Sequence, residues 1–168
     1  MPYETLKVMK DNGLRLLLVS FESGSQQIQH KIKKGMRADW VRRFMQDFHK
    51  LCIIVYGTLM VGLPGETQDT IRETIRFAQE INPHTIQVSL AAAYPGTFLY
   101  RQATENGWLR ANSQDMVASN GLQVSSLEYP HLSHDEIFTA LEGFFISASI
   151  FVRAKSLRLL SRCCIVWK

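Results

Sequence analysis

The sequence predicts an α/β fold built on a parallel sheet, and three observations predict it. Three apolar runs of strand length, RLLLVSF (15–21), IIVYGTLMV (53–61) and TIQVSLAAA (85–93), are spread along the chain. The segments between them repeat apolar residues at helical spacing. Each run ends in a short loop that joins glycine to polar groups just before a helix: Glu22-Ser23-Gly24-Ser25, Gly62-Leu63-Pro64-Gly65-Glu66 and Tyr94-Pro95-Gly96-Thr97. Strands alternating with helices imply parallel pairing with right-handed crossovers. Such sheets carry their functional loops at the carboxyl ends of the strands.

The elements follow in order. YETLKVMKDN (3–12) reads as a short helix with Leu6, Met9 and Lys10 on one side, and Gly13 stands where a helix C′ glycine belongs. RLLLVSF is continuously apolar, which suits a strand buried on both faces. SQQIQHKIKKG gives a helix with Ile28 and Ile32 four apart, stopped by Gly35. Asp39 is placed to cap the next helix. There Val41, Phe44, Met45, Phe48, Leu51 and Cys52 form an amphipathic face. After the second strand, Thr67 is the expected N-cap of a helix whose stripe is Ile71, Ile75 and Ala78, with Pro83 just beyond its end. Thr97 caps FLYRQATEN after the third strand, and Gly107 closes it. An irregular polar stretch runs to about 132, and Ser133 with Glu136 opens a last helix as a capping box.

Composition bounds the function. With 168 residues, 46% hydrophobic and 20% charged, the chain is long enough for one domain with a real core. A net charge of +4 permits contact with phosphates or anionic lipid without requiring nucleic acid. The densest basic run, KIKKG at 31–35, reads as a solvated face. Met1-Pro2-Tyr3-Glu4 is polar, and no apolar stretch reaches the roughly 18 to 20 residues of a membrane span. Cys52, Cys163 and Cys164 form neither a disulfide framework nor a metal-ligand spacing. A reducing, cytoplasmic setting is the expectation.

The three loops are the candidate site. Exposed N–H groups at the following helices would face one cleft. The plain alternative is that glycine and proline only turn the chain, with Glu66 or Thr67 capping a helix. Glu22 is the sharpest residue, because an acid ending an apolar strand must be in a site or paired. The histidines His30, His49, His131 and His134 have no ligand spacing, and His84 reads as a turn residue. Trp40 and Trp108 read as core or rim, and no Ser/His/Asp constellation is suggested.

VSFESGSQQIQHKIKKG (19–35), YGTLMVGLPGET (56–67) and AYPGTFLYRQATENGWL (93–109) together resemble the radical S-adenosylmethionine (SAM) superfamily, and within it the cobalamin-dependent type. Their order and spacing are similar to the fourth, fifth and sixth strands of that family's partial (β/α)6, TIM-barrel-like fold. NPHTIQVSLAA, YPGT and NGWL resemble one branch more closely, the hopanoid-biosynthesis radical SAM proteins.

The resemblance implies the C-terminal half of a radical SAM barrel over 1–110, a family extension over 111–143 and C-terminal helices. It implies S-adenosylmethionine and a 4Fe–4S cluster as cofactors, and cobalamin in that branch. It implies a small-molecule or lipid head-group substrate, the bacteriohopanepolyol head group. It places Glu22 and Ser23 at ribose or the methionine moiety, Gly62 by adenine with Leu63-Pro64 as an apolar wall, and Tyr94-Pro95-Gly96 near the adenine. No catalytic and no metal residue is assigned, and Glu66 reads as structural.

The sequence departs from the family. The CxxxCxxC motif that would bind the cluster is absent. The isolated chain is therefore expected not to be catalytic. A binding module without catalysis, for an adenosyl ligand or a partner supplying the other half-barrel, stands beside that reading. An unrelated phosphate-loop enzyme ranks last, since the loop lacks the Lys-Ser/Thr of a P-loop. Cys52 stands where the family has glycine, at a cost of about 1 kcal/mol in a left-handed conformation. An exposed barrel edge predicts poor solubility or self-association. Peripheral membrane contact is the only membrane role expected.

Residues 144–168 have no family counterpart and no clean apolar face. One choice of codons for 146–156 spells KRFYFRPRKI in another frame, similar to the family's aromatic and arginine-rich stretch. The tail thus reads as a frameshift product that contributes nothing to a site.

Overall fold

The computed structural model describes residues 1–110 and 124–144. The order is α1 (Tyr3–Asp11), β1 (Leu16–Glu22), α2 (Gln26–Lys31), α3 (Ala38–Lys50), β2 (Ile54–Val61), α4 (Gln68–Ile81), β3 (Thr85–Leu90) and α5 (Phe98–Glu105). A further helical segment covers 134–144. The strands form one sheet in the order β1-β2-β3, all parallel. The predicted α/β class with three parallel strands is the observed one.

Strand alternation sorts the sheet into two faces. Leu17, Val19 and Phe21 of β1, Val55, Leu59 and Val61 of β2, and Ile86, Val88 and Leu90 of β3 belong to the core on the helix side. Phe48 and Met45 from α3, with Phe77, Ala78 and Ile81 from α4, complete that layer. Phe21 meets Phe77 edge-on, with ring centroids 6.2 Å apart.

The opposite face is open, which corrects the expectation of strands buried on both sides. Leu16, Leu18 and Ile54 lie on it, 52%, 62% and 43% exposed. A parallel sheet ordinarily has both faces covered. Continuous apolar runs record that requirement, but no described residue of this chain meets it here.

Local signals are mostly where the sequence put them. The Thr67 side chain accepts from the Thr70 N–H, and the Thr70 side chain accepts from the Thr67 N–H, closing a capping box. Thr97 accepts from the Tyr100 N–H, and Ser133 and Glu136 exchange hydrogen bonds as predicted. Gly13 has φ +104, and Cys52 takes the left-handed conformation with φ +51.

Three details differ. Arg37, not Asp39, is the N-cap of α3, and it makes no side-chain cap. Asp39 lies in the first turn and pairs with Arg37 at 3.1 Å, so it serves the helix dipole instead. The helix α2 stops at Lys31, before Gly35, because Lys33 already turns left-handed with φ +54. Cys52 lies past α3 and is exposed, so it is not on the amphipathic face.

The stretch read as irregular packs tightly where it is described. Leu127, Tyr129, Leu132, Ile137 and Phe144 are all buried in the shared core. Residues 111–123 and the proposed frameshift tail, 145–168, lie outside the described residues. Among the described residues no helix is long and apolar enough to cross a membrane.

Candidate functional site

Parallel pairing brings the three predicted loops to one edge of the sheet, where β1, β2 and β3 end. The first begins at Glu22, whose backbone is left-handed with φ +61. The register of β1 against β2 shifts between Ser20 and Glu22. A non-glycine residue in this region costs about 1–2 kcal/mol, and such strain gathers at functional sites. The bulge leaves the Glu22 carboxylate on the open face beside Ser20. Its Oε1 accepts from Ser20 Oγ at 2.7 Å and from Lys34 Nζ at 3.0 Å. Glu22 is therefore paired, and its Oε2 takes no hydrogen bond among the described residues. Lys34 comes from KIKKG, so that run is not only a solvated face.

Ser23 turns the other way. It is buried, and its hydroxyl lies 3.0 Å from Thr74 Oγ1 of α4. The Gly24 N–H donates to the same oxygen at 3.0 Å. Gln29 Nε2 donates to the Phe21 carbonyl at 2.6 Å, tying α2 beneath the loop.

The second loop turns on Gly62 and Gly65, with φ +84 and +77. Glu66 folds back into it with no exposed surface. One carboxyl oxygen, Oε2, accepts from the N–H groups of Gly62 at 2.7 Å and Leu63 at 3.1 Å. The other, Oε1, is buried without a hydrogen-bond partner among the described residues. Burial pushes the carboxyl up to about 7, against the two backbone N–H groups that favour its charge. The Tyr129 hydroxyl donates to the Gly62 carbonyl at 2.8 Å, and His131 Nε2 lies 3.1 Å from the Glu66 carbonyl. Burial first, and the Glu66 charge second, raise the Tyr129 hydroxyl above its ordinary range. A Cβ on Gly62 would stand 3.3 Å from Ile137. Glycine at 62 thus answers both to the turn and to Ile137. Leu63 is buried and Pro64 half-buried beside it.

The third loop is the most open. Tyr94, Pro95 and Gly96 are exposed, and Gly96 has φ +85. The Thr97 hydroxyl donates to the Tyr94 carbonyl at 2.7 Å, which fixes the turn. Just before it, the Ala93 N–H donates to Ser126 Oγ at 3.2 Å. Phe98 follows, 73% exposed.

Sequence reasoning missed Ser126 and Tyr129, which hold the second and third loops from residues 124–132. The only local signal was the alternation of Leu127 and Tyr129 before the Pro130-His131 turn. Replacing Tyr129 with phenylalanine keeps the ring against Trp108, 5.1 Å between centroids, and removes only the bond to Gly62. The expected loss is about 1–2 kcal/mol in urea unfolding at pH 7. A change below about 0.3 kcal/mol would show that the loop is held without it.

The donors present do not fit an iron–sulfur cluster. Among the described residues no three His, Cys, Asp or Glu side chains are placed to hold a metal ion. Cys52 is exposed beyond α3, and Cys163 and Cys164 lie outside the described residues. What these loops offer an adenosyl group is Glu22 Oε2, which takes no hydrogen bond among the described residues, and the apolar pair of buried Leu63 and half-buried Pro64. A groove of about 450 Å³ lined by Val19, Phe21, Met36, Trp40, Val41 and Phe44 lies on the helix side of the sheet.

The chain is similar to known proteins in sequence and in fold. Residues 1–78 match the family model for the radical SAM superfamily. The chain is 26% identical over 157 residues to an uncharacterised methyltransferase of Pyrococcus horikoshii, covering 90% of this chain and 32% of that protein. It is 23% identical over 127 residues to a probable threonylcarbamoyladenosine tRNA methylthiotransferase of the same organism, covering 73% and 29%. The chain thus spans about a third of the length of these curated relatives. In structure it is similar to coproporphyrinogen III oxidase from Escherichia coli, a radical SAM enzyme, with a TM-score of 0.62 at 15% identity, over 88% of this chain and 30% of that one. That likeness concerns the fold. Residues 1–78 are thus similar to part of a radical SAM superfamily domain.

Proposed function

We propose that the chain forms the adenosyl-side wall of a radical SAM barrel. The carrying observation is the set of three strand-ending loops on one sheet edge, with the Glu22 carboxylate held on the open face by Lys34 and Ser20. Glu22 receives a ribose hydroxyl. Ser23 and Gly24 anchor the loop after Glu22 to α4 through Thr74. Gly62, Leu63 and Pro64 form the apolar wall beside adenine, and Tyr94, Pro95 and Gly96 close its outer side.

Family members use S-adenosylmethionine with a 4Fe–4S cluster, which supplies the electron for cleaving it. The sequence has no CxxxCxxC motif for that cluster, and no catalytic step is assigned to this chain alone. The motifs NPHTIQVSLAA, YPGT and NGWL support the cobalamin-dependent hopanoid branch as the finer reading, with a polyol head group as substrate. The exposed Leu16, Leu18 and Ile54 support completion of the open face by further βα units or by a second copy.

The test is calorimetric titration of the full chain with S-adenosylhomocysteine, beside iron analysis after anaerobic reconstitution. Saturable binding is expected, weakened about tenfold in Glu22→Ala, the scale of one hydrogen bond to a charged group. Less iron than one cluster per chain is expected. Absence of binding, or binding indifferent to Glu22, would sink the adenosyl assignment. A stoichiometric cluster would sink the non-catalytic one.

A further inference from the structure

The helix side of the sheet carries a groove that the adenosyl reading does not use. It lies between β1 and α3, with a volume of about 450 Å³ and a floor that includes Val19, Phe21 and Phe44. Trp40 stands at its margin, 54% exposed. The Arg37 guanidinium lies over that ring, 5.1 Å from its centroid, and steadies it. A tryptophan held half out of the surface beside an apolar hollow has the form of an interface anchor.

Trp40, Arg43, Phe44 and Asp47 recur at i, i+3, i+4 and i+7, so they form one stripe of α3. All four line the groove. The stripe is apolar at Trp40 and Phe44, cationic at Arg43 and anionic at Asp47. The neighbouring Arg42 is committed to Glu80 of α4 through hydrogen bonds of 2.5 and 2.8 Å. Arg43 and Asp47 are held far more loosely. Arg43 has Asp39 at 3.9 Å, and Asp47 has Lys50 at 3.8 Å, both beyond hydrogen-bond reach and both within α3.

An occupant of this groove must cover apolar surface and meet a positive and a negative charge about 6 Å apart along a helix. A small anion or cation answers only one of the two. A second α3, laid antiparallel about a two-fold axis at the level of Met45, answers both. Arg43 of each copy then faces Asp47 of the other, and both exposed tryptophans are covered together. A two-fold interface requires a self-complementary patch of this kind.

We infer that this stripe of α3 is a dimer interface, and that the partner at the groove is a second copy of this chain. Burial of Trp40 and the groove supplies the affinity, and the Arg43–Asp47 pairs set the antiparallel register. Neither contribution depends on the adenosyl reading.

The experiment is sedimentation equilibrium of the full chain over a concentration series. The wild-type chain is expected to reach the mass of two chains. Trp40→Ala, Arg43→Glu and Asp47→Arg are each expected to weaken the dimer at least tenfold. The two charge variants each place like charges at both contacts. An equimolar mixture of those two variants restores opposite charges at both, so it is expected to regain the dimer. No effect confined to one chain produces that rescue. Leu18→Lys, on the open face of the sheet, is expected to leave the mass unchanged. A wild-type monomer at every concentration overturns the inference. So does a dimer that survives Trp40→Ala and is lost in Leu18→Lys, or a pair of charge variants that mixing does not rescue.

Discussion

Gly24→Ala is expected to cost about 3 kcal/mol or more, a large part of the roughly 5–15 kcal/mol that holds an ordinary domain folded. A Cβ at this position would collide with Phe77 Cβ and stand 2.8 Å from the Thr74 Cα. The second neighbour is backbone inside α4, so no rotamer change relieves it. The loop cannot lift away without breaking the bond from the Gly24 N–H to Thr74 Oγ1 and exposing Ser23. Gly143→Ala is the control. Nothing lies within 4 Å of its added Cβ, and its helical position favours alanine by about 0.5–1 kcal/mol. Urea unfolding of both variants reads the difference. A Gly24→Ala protein as stable as the parent would mean that the loop does not rest on α4 as described.

Gly24 shows how a motif read for its ligand can be fixed first by packing. ESGS carries the resemblance to radical SAM sequences, and its glycine reads as a ligand-loop residue. The structure gives it a second reason, the closest approach of β1's loop to a neighbouring helix. That reason involves residues about fifty positions apart, and nothing in the local sequence records it.

The same division runs through the fold. Caps at Thr67, Thr97 and Ser133 were legible, because donor and acceptor lie within four residues of one another. The left-handed turns at Gly13 and Cys52 were legible for the same reason. Strand existence was legible from apolar runs, but strand environment was not. RLLLVSF states that both faces want cover and is silent on whether the chain provides it. The row of Ser20, Thr58 and Gln87 across the sheet was not legible, because each residue sits alone in a different apolar run and only parallel register lines them up. Residues 124–132 were read as irregular, since two antiparallel bridges, Leu109 to Leu127 and Tyr129 to Leu132, leave almost no periodicity. They nonetheless hold the second loop from outside.

At that loop, Glu66 gives the stability of the chain an inverted pH dependence. A carboxyl that gains partners usually falls in pKa on folding and stabilises the protein above its unfolded value. Glu66 is lifted instead, to about 7 from an ordinary 4.5, because desolvation outweighs two backbone hydrogen bonds. The folded state then holds a proton that the unfolded state releases, so this group's contribution is complete below about pH 4.5. It falls as pH rises through the window to 7 and is level above it. A rise from 4.5 to about 7 corresponds to about 3 kcal/mol. Glu66→Gln keeps an oxygen for the N–H groups of Gly62 and Leu63 and cannot ionise. The stability of the parent relative to this variant is therefore expected to drop by about 3 kcal/mol between pH 4.5 and pH 8 in paired urea titrations. The wild-type chain still folds at pH 8 only if the core carries that cost, so the loop is expected to loosen first. Faster amide exchange at Gly62 and Leu63 in the parent than in the variant would show it. A parent–variant difference constant across that window would mean that Glu66 is charged throughout, with its second oxygen satisfied by a donor not seen here.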